Sequence, residues 1–250
     1  MKSPAIVLRE TNYKEADKIL TVLTRDLGKR TVKARGCRRK SSKITAAAQL
    51  LVYSDMVLFE RQERYTLHEA ATKESFWSVR QDIVLLALSS YFAEVLEAVA
   101  QEGQPHSELL SLILNCMYGL DTLKKEPALV KGSFELAVMC DCGYAPYLDG
   151  CALCGGEAKE ARLNLNAGVL HCKGCRSPEW QGVSLPLTDG VLQAMRHVTD
   201  CEPKRLLSFS LQPEGLGVFS DVCEAFLLAQ LERGFRTLDF YKQLNAVPLE

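Results

Sequence analysis

The sequence predicts a two-part α+β chain, a small β-barrel followed by a mainly helical domain. Three observations carry that reading. Alternating or β-branched runs separated by turn signals fill the first 75 residues. Apolar residues then recur at three- and four-residue steps, and two matched cysteine pairs interrupt the helices. The 250 residues suffice for one large domain or two smaller ones, and 47% hydrophobic with 24% charged residues is ordinary for a globular protein.

The strands come first. AIVLRE (5–10) is apolar and β-branched; KILTVLTR (18–25) is similar, and the LGK overlapping a following turn supplies the break. RTVKARG (30–36) alternates, so Val32 and Ala34 are expected to face a core while Thr31, Lys33 and Arg35 face out. QLLVYSDMVLFER (49–61) reads as a fourth strand, RQER as a turn, and YTLHEAATKE (65–74) as a fifth. Five short strands in this length suit a small barrel, and the OB-fold is the commonest five-stranded choice. That domain is expected to span residues 1–78.

The period then changes. From Val79 onward, Leu85, Leu88, Phe92, Val95 and Val99 mark one amphipathic helix, which EGQP (102–105) ends. HSELLSLILNCMYGLDTLKK follows, with Leu109, Ile113, Cys116, Leu120 and Leu123 on one stripe. Pro127, a favoured first-turn residue, opens a third helix that runs to about Cys140. LTDGVLQAMRHVTD and SDVCEAFLLAQLERGF read as two more, the second with Ser220 as its N-cap. The helical domain is expected over residues 79–250.

No run of 18 apolar residues appears, so no membrane span is expected, and the first residues lack the apolar core of an export signal. The expected compartment is the cytoplasm, where ten cysteines read as thiols or metal ligands rather than as a disulfide framework. Cys151-x-x-Cys154 and Cys172-x-x-Cys175, with seventeen residues between the pairs, have the spacing of a four-cysteine zinc site. Two residues between paired cysteines let both sulfurs meet one tetrahedral ion, and Gly155, Gly156 and Gly174 permit the tight turns. ARLNLNAGVLHC reads as two short strands around Asn166-Ala167-Gly168, a zinc ribbon inserted at about 142–180. Four thiolates close the coordination shell, so a single structural zinc is expected; thiolates alone do not separate zinc from iron, and a redox pair is the alternative. Cys116 and Cys223 lie on apolar helix stripes and are expected in the core.

The charge is split unevenly. Residues 1–45 carry thirteen Lys or Arg against four acids, a net of +9, so residues 46–250 carry −10 within a total of −1. GKRTVKARGCRRKSSK (28–43) holds eight basic residues and no acid: Lys29, Arg30, Lys33, Arg35, Arg38, Arg39, Lys40 and Lys43. Such asymmetry points to a polyanion, and in an OB-fold the strand 2–3 region and adjoining loops are where oligonucleotides lie. These eight are the candidate nucleic-acid contacts; a solvated loop that serves solubility is the alternative. The segment holds no aromatic residue, which leaves Tyr13, Tyr53, Phe59 and Tyr65 as stacking candidates. Phosphate contacts alone give little sequence preference.

No enzyme motif is present. Walker A, H-E-x-x-H, G-x-S-x-G and G-x-G-x-x-G patterns are missing, and the four histidines (68, 106, 171, 197) are scattered. A non-catalytic protein is expected.

Taken together, these parts resemble the RecO family of recombination mediators. CGYAPYLDGCALCGG (142–156) is similar to the family's pattern of glycine, proline and leucine leading into the first C-x-x-C. VLRETNYKEADKILTVLTRDLGKRTVKARGCRR is similar to its opening, including Gly28 and Gly36. The resemblance covers nearly the whole chain. It implies an ATP-independent DNA repair protein, nucleoid-associated, that binds single- and double-stranded DNA and anneals complementary strands. It further implies action with RecR to load RecA onto DNA coated by single-strand-binding protein. Some members lack the cysteines, which implies a scaffold role for the metal. The rival readings are an RNA-binding or ribosome-associated OB protein with a zinc ribbon, a metal-dependent nuclease with dispersed acids, and an interaction scaffold.

Overall fold

Four consecutive apolar residues, Ala5 to Leu8, show no strand-like alternation because both faces of their strand are buried. The computed structural model of the chain, which describes residues 1–246, places them in β1 (Lys2–Tyr13). β2 (Asp17–Thr24), β3 (Gly28–Ala34), β4 (Tyr53–Arg61) and β5 (Arg64–Glu74) complete a closed barrel of order β1-β2-β3-β5-β4. β3 runs parallel to β5 and β4 closes antiparallel onto β1, which is the OB-type arrangement. One face of each strand fills the interior with Val7, Leu20, Val22, Val32, Ala34, Met56, Leu58 and Leu67. α2 (Ile83–Val99) covers the outside of β1, and α3 (Ser107–Asp121) touches β2.

QLLV does not join the fourth strand. Leu51 adopts a left-handed backbone (φ 62°), so the chain turns there and the strand begins at Tyr53, with Leu51 and Val52 buried beneath it. The first helical stretch is two helices rather than one. α1 (Trp77–Gln81) ends before Asp82, whose carboxylate accepts the N–H groups of Val84 and Leu85 and so caps α2. Leu123 lies beyond the end of α3 and is exposed, while the other four residues of its expected stripe are buried. Gly28 is obligatory at the barrel rim. Its φ is +68°, and a Cβ there would stand 1.8 Å from the Gln104 carbonyl oxygen.

The described chain forms two compact units. One comprises Met1–Thr122 and the segment that begins at Phe235; the other is Leu123–Gly234. In the first, α7 (Arg236–Ala246), an element beyond the last helix that the sequence pattern indicated, which ended at Phe235, packs along α2. Phe235 meets Tyr91 edge to face, ring centroids 5.7 Å apart, and Glu94 accepts the backbone N–H of Thr237 at 3.1 Å.

In the second, α4 (Pro127–Asp141) packs on α6 (Pro213–Leu231), with α5 (Asp189–Asp200) beside both. Gly132 makes that approach possible: a Cβ would lie 2.6 Å from the Phe219 ring. Ser220 is not an N-cap. The helix starts seven residues earlier, with Pro213 in its first turn, and Ser220 is buried mid-helix. Lys131, 3% exposed, sits between two carboxylates, 2.9 Å from Glu135 and 2.8 Å from Glu224. The ribbon is a three-stranded sheet of order β7-β6-β8, in which β6 (Arg162–Asn164) and β7 (Val169–His171) flank the expected turn at Gly168. β8 (Ser184–Pro186) returns later to pair with β6, and short-range pattern did not reveal it. Among the described residues no helix is long and apolar enough to cross a membrane.

Candidate nucleic-acid interface and metal centre

The eight cations of residues 28–43 divide into two sets. Three are engaged by the protein itself. Lys29 donates to the Glu97 carbonyl at 2.6 Å, Arg30 lies over the Tyr65 ring at 5.1 Å, and Lys33 pairs with Asp17 at 3.1 Å. The other five, Arg35, Arg38, Arg39, Lys40 and Lys43, are exposed, and none forms an ion pair among the described residues, although Arg38 also donates to the Lys14 carbonyl at 3.4 Å. Three acids of the barrel are paired elsewhere: Glu10 with Lys18, Asp17 with Lys33, Asp26 with Arg25. The five exposed cations thus have no carboxylate partner among the described residues.

The loop bearing those five is ordered by its own hydrogen bonds. Asp17 accepts the Gly36 N–H at 2.8 Å, and that bond together with Lys33 holds its carboxyl below the usual carboxylate range. Arg38 donates its N–H to Ala16, Arg39 to Gly36 and Ser42 to Arg39, a succession of turns. Cys37, 1% exposed, is plugged into the barrel core, and its carbonyl accepts the Thr45 hydroxyl at 2.7 Å. Anchoring the middle of a basic loop in this way leaves its arginines pointing to solvent from a fixed base.

A groove of about 740 Å³ runs beside this loop, walled by Arg35, Lys43, Phe59, Arg61, Arg64 and His68. Sequence reasoning read RQER only as a turn and missed two of these cations. In the hairpin, Arg61 faces Arg64 directly across the β4–β5 register and Phe59 faces Thr66. Like charges directly opposite one another are unfavourable in a sheet. Gln62 and Glu63 between them both hold positive φ, 50° and 59°, which side chains other than glycine resist. Positive φ at both central residues is what a two-residue primed hairpin turn requires, its twist matching that of the flanking strands. Phe59, 63% exposed, is the only Phe, Tyr or Trp on this wall among the described residues; Tyr13 is also exposed but carries Lys14 and Lys33 near its ring. Tyr53 and Tyr65 are half-buried.

The four cysteines converge as their spacing demands. The sulfurs of Cys151, Cys154, Cys172 and Cys175 lie within 4.8 Å of one another, and Cys154 and Cys172 are 3.9 Å apart. Metal–sulfur bonds of about 2.3 Å in a tetrahedron give sulfur–sulfur edges of about 3.8 Å, so the cluster fits one tetrahedral ion. Knuckle turns form at both pairs: Gly155 donates to the Cys151 carbonyl with φ +73°, and Cys175 donates to that of Cys172. Backbone N–H groups aim at the sulfurs, Lys159 at Cys172 (3.3 Å) and Cys172 at Cys151 (3.4 Å). Burial works to raise the Cys151 thiol, but N–H groups of Cys154, Cys172 and Leu153 outweigh it and bring it down to about 6. Cys175, hydrogen-bonded to Cys151 and partly desolvated, is pushed up to about 12. One thiolate thus hinders the next, a repulsion that a dication removes. The other cysteines stand apart from this cluster, and burial raises the thiols of Cys116 and Cys223 out of the reactive range.

The family model for the N-terminal part of recombination protein O matches residues 1–76, and the model for its C-terminal part matches residues 80–239. The chain is 31% identical over 249 residues to the DNA repair protein RecO of Acetivibrio thermocellus, covering 99% of this chain and 98% of that one. It is 30% identical over 245 residues to the RecO of Symbiobacterium thermophilum, with 96% of each covered. For the RecO of Caldicellulosiruptor saccharolyticus the identity is 29% over 247 residues, 97% of this chain and 98% of the other. The chain belongs to the RecO family.

Proposed function

We propose that this chain is a non-enzymatic, ATP-independent protein of recombinational DNA repair that binds DNA and anneals complementary strands. It acts at the nucleoid with RecR to load RecA onto DNA coated by single-strand-binding protein. The observation that carries the reading is the basic groove, where cations without ion pairs and the exposed Phe59 stand on an OB-type barrel in a RecO-family chain.

The barrel, residues 1–78, is the DNA-binding part. Arg35, Arg38, Arg39, Lys40 and Lys43 supply phosphate contacts, with Arg61 and Arg64 across the groove. Lys29, Arg30 and Lys33 act from the inner set, lending field rather than free charge. A surface that neutralises two strands at once removes their mutual repulsion, while base pairing supplies the driving energy. Neither base reading nor nucleotide hydrolysis is required. One zinc held by Cys151, Cys154, Cys172 and Cys175 closes the ribbon as a structural ion.

The test is annealing of two complementary DNA oligonucleotides, one labelled, in a salt series without ATP. Acceleration that fades with salt and collapses when Arg38, Arg39 and Lys40 become glutamate supports the reading. With about six phosphates neutralised, log affinity falls against log salt with a slope near −5 on duplex and −4 on single strands. Binding without acceleration reduces the protein to a nucleic-acid-binding module, a marked preference for RNA moves it to another polymer, and neither binding nor annealing overturns the proposal.

A further inference from the structure

The ribbon carries a second cavity that neither the metal nor the barrel uses. It measures about 280 Å³ and is bordered by Arg162, Asn164, His171, Arg176, Trp180 and Ser184. Its hydrogen bonds leave an imbalance. Asn164 accepts the Ala167 N–H with its side-chain oxygen and donates to Ser184 Oγ. His171 Nδ1 lies 2.8 Å from the Cys172 carbonyl and so donates there, which leaves Nε2 to accept the Ser184 hydroxyl at 2.9 Å. These side-chain acceptors are consumed within the wall.

Donors are left over. Arg162 gives one N–H to the Ser184 carbonyl at 2.8 Å, but its Nε is buried without a partner. Arg176, one residue past the last cysteine, is exposed and forms no ion pair among the described residues. Arg162 likewise has no carboxylate among them. Trp180, half-buried, packs at 5.3 Å from the His171 ring and adds an aromatic wall. A half-buried guanidinium with an unmet donor is unfavourable unless a ligand completes it, and a second free arginine beside it sets the sign of that ligand. Two arginines with spent acceptors select an anion; an aromatic wall in a space larger than one phosphate selects an anion that carries a ring.

We propose that this cavity binds a nucleotide phosphate, with Arg162 and Arg176 holding the phosphate and Trp180 flanking the base. The phosphate comes from a free nucleotide or from a position within a strand. This stands on the ribbon's own residues and is independent of the barrel reading.

Tryptophan occurs only at positions 77 and 180, so in a Trp77→Phe chain the emission reports on the ribbon alone. The whole chain, purified in zinc-containing buffer, is titrated with deoxythymidine monophosphate, inorganic phosphate, sulfate, and an oligothymidylate lacking terminal phosphates. The proposal requires saturable change in Trp180 emission with the mononucleotide or the oligonucleotide, at least about tenfold weaker in an added Arg176→Ala variant. A response confined to the mononucleotide identifies a free nucleotide; a response to the oligonucleotide identifies a strand. Arg176 is exposed, so its removal leaves the fold intact, and unchanged far-UV circular dichroism checks this. No saturable response, a response equal with sulfate, or one unchanged by Arg176→Ala overturns the proposal. The response is expected to persist when Arg38, Arg39 and Lys40 become glutamate, so this failure is separate from a failure of DNA binding at the barrel.

Discussion

The barrel and the ribbon each concentrate one kind of side chain, and they do opposite things with it. The ribbon draws four cysteines to a single point, a cluster that could hold one metal ion to relieve their mutual repulsion. The barrel spreads its arginines and lysines over a rim and a groove, where Arg35, Arg38, Arg39, Lys40, Lys43, Arg61 and Arg64 form no ion pair among the described residues. Convergence suits a closed coordination shell; dispersion leaves an open basic surface. The buried Lys131 is a third solution, one cation satisfied inside the protein by two carboxylates.

The sharpest way to break this contrast is to remove the ion. Structural zinc binding in small ribbons is worth about 10–16 kcal/mol, so chelation or Cys172→Ser should melt the ribbon outright. Hydrogen exchange should show protection lost around residues 151–186 while the barrel strands keep theirs. Loss of barrel protection at the same chelator concentration would contradict a local role.

Next comes the groove. Changing Arg35, Lys43, Arg61 and Arg64 together to glutamine should weaken single-stranded DNA binding about a hundredfold at moderate salt. The salt slope should shrink by about 0.7 per residue. Stability should barely move, because none of the four has a carboxylate partner to lose among the described residues. Fluorescence anisotropy across a salt series reads affinity and slope together. The same number of changes at Lys29, Arg30 and Lys33 plus Lys18 should show the reverse balance, with stability falling more than affinity.

Lys131→Met tests the third solution. Removing one member of a buried ion pair costs about 3–5 kcal/mol, here by leaving Glu135 and Glu224 without the cation between them. Burial works against the Lys131 ammonium, but the two carboxylates outweigh it and raise its pKa. A raised lysine lends its stability fully below the unfolded value of about 10.4 and loses it as pH climbs through the folded one. The gap between wild type and Lys131→Met, read from urea midpoints, should therefore narrow only above about pH 10.

The smallest expected effect is that of Phe59→Ala. A stacking platform is worth about 1–3 kcal/mol per base on single strands and almost nothing on duplex. Since Phe59 is 63% exposed, thermal stability should be unchanged. An equal loss on both forms of DNA would mean the ring is not a platform.

What was legible in the sequence follows from distance along the chain. Both cysteine pairs act through turns of a few residues, so their spacing alone foretold the cluster. The loop arginines belong to one continuous segment and announced themselves as a run. Arg61 and Arg64 did not, because their meaning depends on hairpin register, which sets them opposite each other and brings Lys43 to the same groove. Ser220 misled for a related reason. It precedes a convincing apolar stripe, but its partner Lys131 is 89 residues away and the helix begins at Pro213. β8 pairs with β6 only after the chain has passed both cysteine knuckles, so no local pattern marks it.

The packing of α7 on α2 has a consequence for synthesis. α2 emerges from the ribosome well before α7, and the whole of Leu123–Gly234 is made in between. That intervening unit has its own helices and its own ribbon to assemble while Tyr91 still lacks Phe235 and Glu94 still lacks Thr237. At about 5–20 residues per second the apolar side of α2 waits for many seconds in a nascent chain. A product cut short before Phe235 would leave that face uncovered, and quality-control machinery could tell such a fragment by the surface it exposes.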